Sequence, residues 1–163
     1  MKKLLAAVSM IALMGAGCSA SSPAPSPRPT DNGEPTTAPK MSMGQFITGS
    51  WKIKSMQTVG GESQDVSGLG LTVRFDGERM QAKVCNLMGG KYTLKDDVMV
   101  FGPVESTLMF CEGKPGEVEV AFSNGLEKGY KMVKQGDNLV MQGAAVFVLQ
   151  REGEPITDDG KVY

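Results

Sequence analysis

No histidine occurs among the 163 residues of the chain. That absence excludes the Ser-His-Asp and Cys-His constellations of nucleophilic catalysis and the imidazole metal sites. It also removes the one side chain whose ordinary pKa lies near neutrality. An excess of positive charge is missing too: 17 Lys and Arg stand against 18 Asp and Glu, for a net charge of -1. Nucleic-acid binding normally needs a basic face, so no nucleic-acid partner is expected. No apolar run reaches the roughly 20 residues of a permanent membrane span. Between Ser19 and Lys40 no aliphatic residue larger than alanine appears. Such a stretch cannot bury enough surface to offset its ordering entropy.

What is present begins with a leader. Lys2 and Lys3 precede an apolar run from Leu4 to Met14, broken only by Ser9, and Gly15, Ala16 and Gly17 follow as small residues. This pattern predicts a removable signal peptide over residues 1–17. Cys18 comes next, and the arrangement resembles the lipobox of bacterial lipoproteins, with Gly15 at the place where that box usually has leucine. The resemblance implies acylation of Cys18; the alternative is an ordinary secretory leader cut after Ala20. Several acyl chains at ~0.8 kcal/mol per buried methylene make a stable membrane anchor. With Ser19 after the cysteine the chain resembles the sorted lipoproteins of bacteria with two membranes, and that resemblance implies passage to the outer membrane. The expected location is therefore the cell envelope, lipid-anchored at the periplasmic face of the outer membrane. Loss of Lys2 and Lys3 leaves 15 basic against 18 acidic residues and a net charge of -3. Residues 18–44 then form a spacer rich in Pro, Ser and Thr, with prolines at 23, 25, 27, 29, 35 and 39 favouring extended conformations. A folded domain is expected over 45–152 and a flexible tail over 153–163.

Within that domain the dominant period is two. Trp51 and Ile53 alternate with Lys52 and Lys54; Leu71, Val73 and Phe75 alternate with Thr72 and Arg74. Asp76-Gly77 marks a tight turn, and Met80, Ala82 and Val84 continue on a second strand. Tyr92 and Leu94 lead through Lys95-Asp96-Asp97 into Val98–Phe101, a second hairpin. Gly129–Lys134, Asn138–Gln142 and Ala144–Gln150 read as three more strands. One segment departs: Val118, Ala121, Phe122 and Leu126 fall on one face of a helix. Pro115 suits its first turn, Glu117 and Glu119 favour its positive end, and Asn124-Gly125 should weaken its last turn. The predicted fold class is α+β, a curled antiparallel sheet of about seven or eight strands (a partial barrel) with one packed helix.

Cys85 and Cys111 both lie in the exported part, where compartments are oxidising. With Cys18 used for acylation, a Cys85–Cys111 disulfide is predicted, stabilising by roughly 3–4 kcal/mol on the chain-entropy model. The alternative is a pair of buried free thiols packed as small hydrophobes. These cysteines also sit in a recognisable pattern. The run Cys85-Asn86-Leu87-Met88-Gly89-Gly90-Lys91-Tyr92 resembles the Cys-Asn-x-x-x-Gly-x-Tyr signature of the META domain family, that of the heat shock protein HslJ. Ser106-Thr107-Leu108-Met109-Phe110-Cys111 is similar to its Ser-Thr-x-Met-x-Cys element, and Gly49-Ser50-Trp51 to its Gly-x-Trp opening. Phe122, Leu126, Tyr130, Leu139 and the Phe147–Arg151 ending follow in order, so the likeness covers residues 46–152. Val84 departs from it, standing where glycine often precedes the first cysteine. The resemblance implies the same α+β fold, an envelope protein linked to heat or antibiotic stress, and no agreed biochemical activity. A likeness of fold to pilotins implies, as an alternative, escort of an outer-membrane protein.

No residue set promises catalysis, a cofactor or a metal. Asn86, at a strand end, reads as a turn or cap residue. Asp96-Asp97 falls in a hairpin turn and Asp158-Asp159 in the tail, without calcium-loop spacing. Ser106-Thr107 has no base beside it. Met41-Ser42-Met43 offers thioethers for copper, but the nine methionines outside the leader read first as flexible core filling. The expectation is therefore a non-enzymatic, lipid-anchored envelope protein that binds an unidentified envelope protein or an apolar ligand. The rival reading is a resistance factor that binds a small antibiotic or lipid.

Overall fold

The computed structural model describes residues 41–153. The leader, Cys18, the Pro-rich part of the spacer and Asp158-Asp159 lie outside the described residues. Alternating burial follows the alternating sequence. In β3 (Thr72–Phe75) and β4 (Arg79–Lys83), Val73, Phe75, Met80 and Ala82 point inward while Arg74, Arg79, Gln81 and Lys83 face water. The turn between them is tied by the Asp76 carboxylate, which accepts from the N–H groups of Arg79 (2.7 Å) and Glu78 (3.0 Å), with Gly77 at a φ of 101°. Strands β5 (Leu87–Lys95) and β6 (Val98–Ser106) form the second hairpin, turning at Asp96, whose φ is 57°. β7 (Tyr130–Gln135), β8 (Asn138–Gln142) and β9 (Ala145–Arg151) form an antiparallel meander.

The sheet closes on itself. β1 (Gly49–Thr58) pairs with β3 along one edge and with β9 along the other, so β1, β3, β4, β5, β6, β7, β8 and β9 make an eight-stranded antiparallel barrel. A short ninth strand, β2 (Ser63–Asp65), lies outside it on β1. A register shift in the β1–β9 ladder between Ile53 and Ser55 changes the phase of β1, so that Trp51, Ile53 and then Met56 are buried. The seam between β6 and β7 is short: it pairs only Val98 with Lys131 and Met99 with Tyr130.

Helix α2 (Gly113–Lys128) packs against β6 and β9, burying Val118, Phe122 and Leu126. It begins two residues before Pro115 and keeps its last turns despite Asn124-Gly125. The reason is tertiary. Gly125 is buried where a Cβ would lie 2.1 Å from the Tyr130 ring, and the Tyr130 hydroxyl donates to Phe122 O at 2.9 Å. The glycine seats an aromatic ring against the helix backbone, and burial pushes the Tyr130 phenol far above its ordinary range. A second helix, α1 (Met43–Ile47), takes in Met43 and Gly44 from the end of the expected spacer. It is opened by a capping box between Ser42 and Gln45 and buries Phe46 and Ile47. Trp51 Nε1 donates to Ile47 O at 2.7 Å; Arg151 donates to Thr48 O at 2.8 Å and to Phe46 O, and stacks on Trp51 at 4.2 Å. The barrel interior is filled by Trp51, Phe75, Phe122, Phe147, Tyr130 and several methionines, including Met56, Met80, Met99, Met132 and Met141.

Candidate functional site

Asn86 stands between β4 and β5 and is 4 % exposed, the one buried polar side chain among the described residues. Burying an amide without partners would cost several kcal/mol, so its bonds locate what it organises. Its Oδ1 accepts from Thr107 Oγ1 (2.8 Å) and from the N–H of Met109 (2.7 Å). Its Nδ2 donates to Met109 O (3.1 Å) and to Glu119 Oε1 (2.8 Å). The other carboxylate oxygen of Glu119 accepts from the N–H groups of Asn86 (2.6 Å) and Cys85 (3.2 Å). Thr107 Oγ1 also accepts from Leu87 N (3.1 Å), and Thr107 N donates to Leu87 O (3.0 Å). Beside this network Cys85 and Cys111 are joined by a disulfide, with Cα atoms 6.3 Å apart.

The residues singled out from the sequence therefore divide in two. Cys85, Asn86, Thr107, Met109 and Cys111 converge into one knot that clamps the loop 107–111 onto the start of β5 and onto α2. Asn86 is its hub, a larger role than the turn or cap residue that its position suggested. Ser106 borders the knot, its hydroxyl donating to Thr107 O at 3.0 Å. Trp51, Gly90 and Tyr92 belong to barrel packing instead. A Cβ on Gly90 would come within 3.0 Å of Pro103 O and of Val104, so the glycine lets β6 approach β5 at a register shift. Tyr92 meets Phe75 edge-on at 5.6 Å and Phe101 at 6.4 Å. Glu119 was assigned from the sequence to the helix dipole; it is in fact the knot's acceptor. Nothing local signals that, because its partners lie more than thirty residues away.

Above the knot the surface changes character. Leu108 is 98 %, Met109 57 % and Phe110 87 % exposed, three consecutive apolar side chains on a loop held by covalent and polar bonds. They form a ridge between two clefts flanking α2. One, of about 750 Å³, lies between α2, β6 and the loop; Met88, Phe101, Val104 and Leu126 give it an apolar floor. The other, of about 880 Å³, lies across the ridge, bounded by Met56, Val120 and Ala121. Met109 and Phe110 line both. Exposed contiguous apolar surface of this kind marks interaction sites.

Little chemistry is available to the knot. Its Glu119 carboxylate is occupied by three donors. The Sγ atoms of Cys85 and Cys111 lie within 4.8 Å of that carboxylate, but they are bonded to each other and offer no thiolate. Asp96-Asp97 sits in the β5–β6 turn, where Asp97 pairs with Lys131 at 3.4 Å in an exposed contact. Asp76, in the β3–β4 turn and tied by Arg79 and Glu78, and Asp65, at the exposed end of β2 and tied by Ser67, are held below the ordinary carboxylate range by backbone N–H donors. Met41 and Met43 pack against the core.

Comparison with known proteins bears on the fold and the family. An NMR structure of a protein from Burkholderia xenovorans is similar at a TM-score of 0.55 and 21 % identity, over 67 % of this chain and 86 % of that one. A second protein solved by NMR is similar at a TM-score of 0.56 and 15 % identity, over 68 % of this chain and 95 % of the other. At such identities the likeness is one of fold. No curated protein matches the chain. The META domain matches residues 44–155, which take in the barrel, α2 and the whole knot. The chain belongs to the META domain family.

Proposed function

We propose that this is a non-enzymatic binding protein of the cell envelope, held to a membrane by an acylated Cys18, which takes a protein partner or apolar ligand on the surface around α2. The observation that carries the reading is the ridge Leu108-Met109-Phe110, exposed in sequence yet fixed by the Asn86 network and the disulfide. Exposing three apolar side chains works against solubility, and fixing them costs loop entropy. Both are offset when the ridge meets a partner, because a pre-ordered surface loses little entropy on binding. A link to heat or antibiotic stress rests on the family resemblance alone.

The test is a ridge variant, Leu108→Ser with Phe110→Ser, studied beside the parent chain. Both side chains lie in solvent, so the melting temperature should stay within the spread of a surface change. Capture of a defined envelope protein, or thermal stabilisation by an amphiphile, should fall at least tenfold. Equal capture and equal stabilisation by parent and variant would remove the ridge from the function. Intact-mass measurement of the mature protein checks the anchor: an unmodified N-terminus beyond Cys18 would refute it.

A further inference from the structure

The cleft between β6 and α2 has an unused feature in its wall. β6 pairs with β5 from Val98 to Ser106, but on its other side it meets β7 only at Val98 and Met99. Asp97 O accepts from Met132 N at 2.6 Å, and Met99 pairs with Tyr130, so alternate residues of β6 turn their backbone groups toward β7. The same alternation turns the N–H and C=O of Phe101 that way, past the end of the seam, where no strand lies beside them. This bare edge borders the cleft, which Phe101, Gly102, Val104 and Ser106 of β6 line from one side and Ser123, Leu126 and Glu127 of α2 from the other.

We propose that the cleft receives an extended, basic and apolar peptide segment, which adds a short strand to the edge of β6 with α2 on its far side. The inference rests on the binding role proposed above and names the occupant. Three observations select it. A slot between a strand edge and a helix offers main-chain hydrogen bonds together with pockets for alternate side chains, which is how extended peptides are recognised. The floor of Met88, Phe101, Val104 and Leu126 takes apolar side chains. The charged residues lining the slot, Glu119 and Glu127, are both carboxylates; Glu119 is taken up by the knot, whereas Glu127 forms no salt bridge among the described residues. Complementary charge therefore calls for Lys or Arg in the occupant. Pro103 has no N–H to offer, so the added strand is short and the edge does not template open-ended self-association.

The full chain in lipid nanodiscs is titrated with synthetic peptides of alternating Val and Lys, read by fluorescence anisotropy and by amide exchange at Phe101. Three comparison probes are used: the same peptide with Glu for Lys, the same peptide N-methylated at alternate amides, and octanoate. Binding of the Lys peptide with slowed exchange at Phe101 is the expected result. The N-methylated peptide should bind about tenfold more weakly, since it cannot make the main-chain hydrogen bonds to the edge. Glu127→Lys, an exposed change that leaves the fold alone, should weaken the Lys peptide and strengthen the Glu peptide. Equal affinity for the N-methylated peptide overturns strand addition, and equal affinity for the Glu peptide overturns the charge assignment. Binding of octanoate alone overturns the peptide while leaving the apolar site standing. Binding of neither overturns both.

Discussion

Asn86 concentrates more structure than any other single polar residue described. Its amide meets Thr107, Met109 and Glu119, and its own N–H meets Glu119 again. Asn86→Ala would remove the amide and leave the Met109 N–H, the Thr107 hydroxyl proton and one Glu119 oxygen without partners in a half-buried place. Leaving groups unpaired costs more than the bonds themselves were worth net, so a loss of about 2–4 kcal/mol is expected. Urea denaturation followed by tryptophan fluorescence measures it, since Trp51 is the chain's one tryptophan and is fully buried. A loss below about 0.5 kcal/mol, the size of an ordinary surface change, would mean that the knot is not a structural clamp. The sequence marked Asn86, Thr107, Met109 and the cysteines through a family pattern, whereas Glu119 and the exposed Leu108 and Phe110 were not marked. The pattern names residue types in two short runs. It carries no information about which helical carboxylate reaches across to them.

At the scale of elements, what could be read was what repeats locally. The two hairpins, the C-terminal meander and α2 all follow from periods of two or 3.6 and from turn residues such as Asp76-Gly77. β2 could not be read, because Ser63-Gln64-Asp65 has no apolar residue and exists only as an addition to β1. α1 is too short for a period, although Ser42 with Gln45 three residues on is a helix-start signal that was available. Gly125 shows the opposite case, a residue whose local reading pointed the wrong way. Alanine is the better helix former by about 1 kcal/mol, yet here its methyl would fall inside the ring of Tyr130. Overpacking in a filled core costs about 1–3 kcal/mol, so Gly125→Ala should be net destabilising. Combining it with Tyr130→Ala should then make the alanine at 125 neutral or favourable against the Tyr130→Ala background. The thermal midpoints of the four proteins decide this, and an additive cycle would detach the glycine from the tyrosine.

The described domain as a whole is a closed ring with one weak join. β1 meets β9 over most of its length, while β6 meets β7 at two positions, and α2 lies against the side where that join is short. The knot fastens this side: Glu119 holds α2 to the start of β5, and the Cys85–Cys111 bond holds the loop leading into α2. Replacing both cysteines, as Cys85→Ser with Cys111→Ser, frees a segment with a sequence separation of 26 residues. The expected loss is about 2–4 kcal/mol. Stabilities of small domains are commonly about 5–15 kcal/mol, so the barrel should survive the change. Closure through β1 and β9 does not pass through the knot, and the loosening should therefore be confined. Hydrogen exchange should quicken at residues 86–88 and 107–111 and along the first turns of α2. The amides of β8 and β9, which exchange through global unfolding, should quicken only as far as the lost global stability dictates. Acceleration at the loop no greater than that across the strands would show that the disulfide supports the whole barrel rather than the binding face. No change at the loop would show that the Asn86 network holds it alone.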